Sequence, residues 1–427
     1  HCNSDWCMTT LKVICNGAGC PSGTGSRIAG NVHTEQGQGM VGVDIQGKTV
    51  VSDIGKMSKT DQAGNYNLEI YMDTELSATR EGSYLDGVST LDLVMIQRHI
   101  LGLELMTSPY KLIAADANND GEVTAADLTE IRELVIGMTT QYGNNRSWRF
   151  PIEDQTMNVN HPFPYMERVM ATQETQNGNY NFIGVKIGDV SGNASTNIDN
   201  PTVEARSNRT VAMAVSEKTL AGGDVVEMPV TAANFSDVMG FQYTMHLTGA
   251  SFVDVKAGAL DINASNVGAI ANDVITMSYA AANSMDIAKD EVLFTLVVKA
   301  ERAVNVSEML AINSTITAAE SYGSDLTVGK VALEVRTAPV TAIELMQNEP
   351  NPFKGQTSVN FLMPEAAAAT LSVYDVTGKE ISVRNISANK GLNSETFTRE
   401  QLGASGVLYY TLKSGDFTAT KKMIIIE

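Results

Sequence analysis

The chain has 427 residues, more than one hydrophobic core usually serves, so we expect three or four domains. Its 49 acidic and 30 basic residues give a formal net charge of −19, and a surface of that sign repels phosphate backbones, which argues against nucleic-acid binding. No apolar run reaches about 18 residues, so the sequence predicts no membrane-spanning helix.

All four cysteines lie in the first twenty residues of the chain: Cys2, Cys7, Cys15 and Cys20. Four cysteines allow three pairings, and the spacing does not choose among them. Disulfides are favoured over a zinc site because the spacings do not form two CxxC pairs. We interpret residues 1–26 as the end of a preceding Ig-like β-domain plus a linker. Because the chain begins at His1 without a signal peptide, we expect it to be the mature or C-terminal part of a longer protein.

From residue 27 the sequence alternates with period two in RIAGNV, MVGVDIQG and TDQAGNYNLEIYM, which predicts an antiparallel sheet. The order of these motifs resembles the carboxypeptidase-regulatory, transthyretin-like β-sandwich. The strand character returns in SWRFPIE and NYNFIGVKIGDV. We therefore expect one β-sandwich over residues 27–200, interrupted by an insertion at 83–140.

The insertion has helical periodicity in two segments, 88–103 and 123–138, and each segment has a glycine near its end. The segments match at a fixed offset, with Asp92 opposite Asp127 and Gly102 opposite Gly137. A duplicated loop–helix unit is the simplest interpretation.

The second loop of this unit, DANNDGEVTAAD (116–127), places oxygen side chains at alternating positions, and Gly121 allows a sharp turn. Calcium prefers several oxygen ligands that converge from such a loop. The alternative is an Asx-rich turn with a helix cap. The predicted calcium ligands are the side chains of Asp116, Asn118, Asp120 and Asp127, the backbone carbonyl of Glu122 and a water held by Thr124.

The first loop is one residue shorter, but it keeps Asp86 and Asp92. A later fragment, GDVSGNA, places Asp189, Ser191 and Asn193 at alternating positions. Since the two ends of an insertion should lie near each other, Asp189 could complete the defective loop from a distance. Asp86, Asp92 and Asp189 are thus a weaker candidate for a second calcium site, and polar turns are the alternative.

The paired loop–helix units resemble a type I dockerin, a calcium-loaded module that docks onto cohesins. Family members often carry paired hydroxyls at the tenth and eleventh loop positions for partner recognition, whereas Ala125 and Ala126 stand there in the second loop. This departure favours a built-in, calcium-stiffened strut over ordinary cohesin capture.

Alternation resumes in VAMAV, VVEMPV, GFQYTMHL, ASFVDV, VITMSY and VLFTLVVKA, which predicts a two-sheet sandwich over residues 205–338. The order of these segments resembles a cohesin. Cohesin-like and dockerin-like parts in one chain permit docking within or between chains. The alternative is two neighbouring domains that only share ancestry with those modules.

Residues 342–427 resemble a type A C-terminal sorting domain of the type IX secretion system, through NEPNPFKGQTSVNFLMP, TLSVYDVTGKE and KKMIIIE. The resemblance implies export to the bacterial outer-membrane surface, with an outer-membrane shuttle and a sortase-like peptidase as partners. The matching positions are Pro350, Asn351, Pro352, Phe353, Gly378, Gly391 and Lys422.

The sequence contains no recognisable catalytic motif, and its five histidines form no HExxH or HxxxH pattern. We therefore expect a mainly β, multidomain, non-enzymatic surface protein: the C-terminal part of an adhesin or a filament-like scaffold, stabilised by calcium. Two alternatives remain open. The chain is the accessory tail of a large secreted hydrolase, or it is a binding module whose cohesin-like part captures a partner.

Overall fold

The computed structural model describes residues 25–49, 55–172, 178–197, 206–336 and 342–426. The four cysteines, and with them residues 1–24 of the predicted preceding domain and linker, lie outside the described residues. The chain divides into two compact units, residues 1–336 and 337–427. No helix in the described ranges is long and apolar enough to cross a membrane.

The first sandwich contains short strands on both sides of a helical insertion. Alternating side chains of β1 and β4 are buried, as the period-two pattern predicts. The strands and helices of this part are β1 Ser26–His33, β2 Asp44–Thr49, β3 Gly55–Lys59, β4 Asn65–Ile70, β5 Thr74–Thr79, α1 Thr90–Ile100, α2 Pro109–Ala115, α3 Ala125–Val135, β6 Trp148–Arg149, β7 Arg168–Ala171, β8 Phe182–Ile183 and β9 Val185–Lys186.

Two sheets, β4-β1-β8 and β3-β2-β5-β7, enclose the core of this sandwich. The pairing of β1 with β4 is antiparallel, as predicted, whereas β1 pairs with β8 in parallel. Strands β6 and β9 pair with each other, and the segment between them along the chain contains β7 and β8. Because the helices leave after β5 and the chain returns at β6, the insertion is attached to the sandwich at both ends.

The insertion has three helices where the sequence pattern predicts two. Helices α1 and α3 lie inside the predicted segments, and Gly102 and Gly137 beyond them have φ of 69° and 72°, the left-handed conformation expected at helix ends. Helix α2 is a short addition, with Ser108 as its N-cap and Pro109 at its first turn. Apolar side chains of all three helices share one core with Ile183, Val185 and Ile187 of the sandwich.

The next part of the first unit is almost entirely β. Its elements are β10 Arg206–Ser216, β11 Thr219–Leu220, β12 Val225–Leu247, β13 Ala250–Ala257, β14 Val267–Ala271, β15 Val274–Ile287, β16 Val292–Ala300, β17 Val304–Asn305, α4 Val306–Met309, β18 Leu310–Asn313, β19 Glu320–Tyr322 and β20 Val328–Arg336.

Strand β12 runs through two predicted strands without the expected turn. Its first part pairs with β16, its second part pairs with β15, and the register shifts between Phe235 and Gly240. Irregular register of this kind bends a strand without ending it. The prediction of separate strands VVEMPV and GFQYTMHL is therefore wrong at this turn.

The second unit is a small two-sheet β-domain. Its elements are β21 Glu344–Leu345, β22 Gln356–Met363, β23 Ala367–Tyr374, β24 Glu380–Ala388, β25 Gly391–Thr398, α5 Arg399–Leu402, β26 Gly406–Ser414 and β27 Phe417–Ile425. Two sheets, β21-β22-β25 and β24-β23-β26-β27, surround its own apolar core. The mainly β fold class is confirmed.

Candidate calcium and docking sites

The predicted calcium loop connects α2 to α3. Asp116 is the C-cap of α2, and Thr124 is the N-cap of α3, where its hydroxyl accepts a hydrogen bond from the backbone of Ala126. The sharp turn between them contains two residues in the left-handed region, Asn119 at φ 59° and Gly121 at φ 87°. The loop is therefore held in a closed conformation by the ends of two helices.

The carboxylates of the loop point inward and accept backbone N–H groups. Asp116 accepts hydrogen bonds from the amides of Asp120 (3.0 Å) and Gly121 (3.1 Å). Asp127 accepts from the amides of Asn118 (3.1 Å) and Thr124 (2.8 Å), which ties the end of the loop back to its beginning. This arrangement gathers the predicted ligands around the interior of one turn.

Burial makes this concentration of negative charge unfavourable. Asp116 is 3% exposed and Asp127 is 0% exposed. Burial, together with the neighbouring charges of Asp127 and Asp120, raises the pKa of Asp116 to about 6. Burial likewise raises the pKa of Asp127, with repulsion from Asp120 contributing. A divalent cation would relieve this repulsion.

The residues fit calcium by their chemistry, because every predicted ligand offers oxygen and none offers nitrogen or sulfur. In the described residues, no three acidic, histidine or cysteine side chains form a metal-binding cluster as they stand. The carboxylates of the loop accept backbone amides instead. Asp120, for example, accepts from the amide of Glu122 at 2.9 Å.

Neighbouring residues that the sequence analysis did not single out support the loop. The side-chain amide of Asn145 donates to the carbonyl of Asp116 at 2.8 Å, and Arg149 donates to the side chain of Asn119 at 3.0 Å. A side chain added at Gly121 would come within 3.7 Å of Phe163. No spacing in the sequence indicates these contacts, because Asn145 and Phe163 reach the loop only through the fold.

The fragment GDVSGNA forms a second turn of the same kind. Asp189 accepts hydrogen bonds from the amides of Gly192 (2.6 Å) and Ala194 (2.8 Å) and from the hydroxyl of Ser191 (2.9 Å). Gly192, at φ 81°, has the left-handed conformation that Asn119 has in the turn of residues 116–121. The chain of the sandwich thus reproduces the opening half of the loop at 116–121.

The start of the insertion, which is the first loop of the sequence analysis, supplies the closing half of the loop that begins at Asp189. Asp92 accepts from the amide of Ser191 at 2.9 Å, as Asp127 accepts from Asn118, and from the amide of Ser89 at 2.9 Å, as Asp127 accepts from Thr124. Both aspartates stand at the third position of a helix and complete a capping box. One loop is therefore assembled from two segments of the chain.

Asp86 completes the correspondence. Its carboxylate accepts from the amide of Ser195 at 3.1 Å, as the carboxylate of Asp120 accepts from Glu122. The structure thus brings together Asp86, Asp92 and Asp189, the three residues of the weaker sequence prediction. Burial and the nearby charge of Asp189 raise the pKa of Asp92.

A buried lysine lies beside this two-segment loop. The ammonium group of Lys186 donates to the carbonyl of Tyr84 at 2.6 Å. Burial lowers the pKa of Lys186 to about 8, while the three aspartates act in the opposite direction. A positive charge thus lies beside each loop, from Lys186 at the two-segment loop and from Arg149 at the loop of residues 116–127.

Helix α1 packs against the outer face of the sheet that contains β12 and β15. The amide of Thr90 donates to the side chain of Gln242 at 2.7 Å, and its hydroxyl lies 2.7 Å from that of Ser278. Leu91 packs against Tyr322 and Val328. Gly240 permits this approach, because a Cβ there would come within 3.1 Å of Thr90.

The end of α3 contacts the same face. Thr317 donates its hydroxyl to the carbonyl of Val135 at 2.7 Å, and Thr276 donates to the carbonyl of Ile136. Thr276 stands on the outer face of β15 and Thr317 lies in the loop between β18 and β19, yet both threonines are buried. The carbonyls at the end of the helix thereby gain partners that solvent otherwise supplies.

The dockerin-like and cohesin-like parts therefore share buried hydrogen bonds within one chain. The hydroxyl that the insertion contributes to the contact with Ser278 belongs to Thr90, at the tenth position of the first loop. Ala125 and Ala126 of the second loop are exposed. The absence of hydroxyls at Ala125 and Ala126 in the second loop did not indicate this role of Thr90 in the first.

In the second unit, the predicted sorting motif joins the final strand. Phe353 is buried, and its amide donates to the carbonyl of Ile424 at 3.0 Å. The side chain of Asn351 accepts from the amide of Ile424 and donates to the carbonyl of Lys422. Pro350 and Pro352 both follow cis peptide bonds.

Of the two glycines predicted for this domain, Gly378 lies in a turn and Gly391 begins β25. Gly378 and Gly391 have φ of 85° and 96°, a conformation that other residues rarely adopt. Gly378 closes the turn between β23 and β24, and its amide donates to the carbonyl of Asp375 at 3.1 Å.

Comparison with protein families identifies two segments. Residues 86–135 match the Dockerin type I domain, and residues 350–426 match the Secretion system C-terminal sorting domain. No curated protein matches the chain. The matched families indicate a secreted, cell-surface protein that carries a calcium-binding protein-interaction module.

Solved structures that resemble the chain include cohesins and a pilin. One chain of a type I cohesin–dockerin complex from Clostridium thermocellum is 13% identical, with 31% of this chain and 94% of that chain covered and a TM-score of 0.23. A non-cellulosomal cohesin from Archaeoglobus fulgidus is 17% identical, with 30% and 87% covered and a TM-score of 0.20. The major pilin subunit BcpA of Bacillus cereus is 10% identical, with 94% and 95% covered and a TM-score of 0.21.

Proposed function

We propose that this chain is a non-enzymatic part of a surface adhesin or filament-like scaffold, exported by type IX secretion and stiffened by calcium. The observation that carries the proposal is the double attachment of the dockerin-like insertion. It is continuous with the first sandwich at both ends, and it is hydrogen-bonded to the next β-domain through Thr90, Val135 and Ile136. An insertion held in this way restricts bending between the domains it touches.

Calcium is the proposed stiffening ion at two loops. At the main site the ligands are those predicted from the sequence: Asp116, Asn118, Asp120, Glu122, Thr124 and Asp127. At the second site, Asp86 and Asp92 of the insertion act with Asp189 of the sandwich. An ion at the second site would link two segments of the chain that are 97 residues apart at Asp92 and Asp189.

The interaction module acts within its own chain in this proposal. The polar face formed by Gln242, Thr276 and Ser278 is buried by the insertion and is therefore occupied. This arrangement favours a structural role over capture of a separate dockerin. The outer-membrane shuttle and the sortase-like peptidase are the partners proposed for the C-terminal domain.

Surface display in a bacterium with type IX secretion tests this function. Cells carrying the full chain should display it, and removal of residues 342–427 should leave it inside the cell. On intact cells, added protease should cleave the displayed chain faster after calcium is chelated, because the insertion then loosens. Equal cleavage with and without calcium would contradict the stiffening role, and display without the C-terminal domain would contradict the export route.

A further inference from the structure

Arg80, directly after β5, has a buried guanidinium group in which two nitrogen atoms form no hydrogen bond. Arg80 is 7% exposed, and its guanidinium lies 5.0 Å from the ring of Trp148 in a cation–π contact. Within the described part of the chain, its Nε and Nη1 atoms are screened from solvent and form no hydrogen bond. Buried polar groups are normally hydrogen-bonded, so these two nitrogen atoms indicate a hydrogen-bond partner from outside the chain.

A cavity of about 800 Å³ adjoins this arginine. Arg80 and Trp148 form part of its wall, and the exposed Arg146 stands at its edge. Arg168 also lines the cavity, but it is already paired with Glu75 at 3.1 Å. Two arginines that form no ion pair among the described residues thus face one polar cavity.

The remaining lining limits the charge of the occupant. Asp44, Glu81 and Glu167 also line the cavity, and they would repel a doubly charged phosphate more strongly than a singly charged group. A carboxylate is singly charged, and its oxygens accept charge-assisted hydrogen bonds from guanidinium N–H groups. We therefore expect the anionic group of the ligand to be a carboxylate.

Side-chain amides and hydroxyls supply the rest of the lining, among them Gln46, Ser77 and Gln141. Such groups form hydrogen bonds with a ligand rich in hydroxyls. We propose that the cavity beside Arg80 binds the carboxylate of an acidic saccharide of the uronic acid class, with Arg146 as a second contact.

One group inside the chain competes with this assignment. Asp86 lines the smaller cavity on which Arg80 also borders, and its charge stabilises the protonated arginine. If Asp86 is the only counter-ion that Arg80 requires, the wild-type chain will bind no acidic sugar.

Calorimetric titration of the full chain with trigalacturonate, in calcium-containing buffer, tests the proposal. We expect saturable binding by the wild type and none of neutral maltotriose. Because Arg146 is exposed, Arg146→Gln should fold normally and weaken binding about tenfold, as loss of one charge-assisted hydrogen bond implies. Arg302→Gln is the matched control, because it removes an exposed positive charge from outside the cavity lining, and it should change affinity less than twofold. Arg80→Gln should abolish binding.

Three results would overturn the proposal: no binding of trigalacturonate by the wild type, equal binding by Arg146→Gln, or inorganic phosphate binding in place of the sugar. The Arg146 variant keeps the test decisive even if Arg80→Gln fails to fold.

Discussion

The hydroxyl groups of Thr90 and Ser278 lie 2.7 Å apart although 188 residues separate them in the chain. Both residues are 0% exposed. A buried hydroxyl needs a partner, so each of these side chains satisfies the other. The pair therefore marks the contact where the dockerin-like insertion meets the following β-domain.

Thr90→Ala should destabilise the first unit, because it leaves the hydroxyl of Ser278 without its partner in the interface. We expect a loss of about 1–3 kcal/mol in the free energy of unfolding, measured by chemical denaturation. Thr129→Ala is the control, since Thr129 is an exposed residue of α3. Equal stability of the two variants would show that the Thr90–Ser278 contact contributes nothing.

Asp127→Asn should remove most of the stabilisation by calcium, because it deletes a buried charge at the end of the main loop. In thermal melts, calcium should raise the Tm of the wild type more than that of this variant. Glu133→Gln also removes one negative charge, but from an exposed position of α3, and should respond to calcium as the wild type does. A wild-type Tm that ignores calcium would argue against the main site.

Asp189→Asn should lower the number of bound calcium ions from two to one, because Asp189 belongs only to the two-segment loop. Native mass spectrometry of calcium-loaded protein counts the ions directly. The exposed Asp154 provides a control, and Asp154→Asn should retain both ions. Two ions in the Asp189 variant, or one in the wild type, would contradict a second site.

In calcium-free protein, the contribution of Asp116 to stability should increase as the pH falls from about 6 to 4. Burial and neighbouring carboxylates raise the pKa of Asp116 to about 6, above its value of roughly 3.9 in an unfolded chain. Between these values the native state binds more protons than the unfolded state, so stability decreases as the pH rises.

Thermal melts of the calcium-stripped wild type and of Asp116→Asn isolate this effect, because the other titrating groups are common to both. The Tm of the wild type relative to the variant should rise on acidification through this range. A difference that stays constant with pH would show that Asp116 ionises normally in the native state.

The main loop could be predicted from sequence because its groups lie within one short segment. Asp116 and Asp127 are brought together by the local turn and by the cap of α3, both of which depend on nearby residues. The two-segment loop could be predicted only weakly, because its geometry depends on the sandwich bringing Asp189 to Asp92. The alternating polar residues of GDVSGNA are visible in the sequence, but their contact with Asp92 is not.

The contact between the insertion and the β-domain was harder to predict. A threonine on the outer face of a strand, such as Thr276, has the pattern of an exposed residue, and nothing local distinguishes it from one. Arg80 was missed for a related reason. Its unusual state is its lack of partners, which a sequence cannot display.

The assembly of one loop from two distant segments also limits how this module can be inherited. The family match covers residues 86–135, yet Asp189 and the amides that hold it lie well beyond that range. A recombination event that moved only the matched segment would leave behind the half of the two-segment loop that contains Asp189. The insertion and the returning strands of its host are therefore expected to travel through evolution as one block.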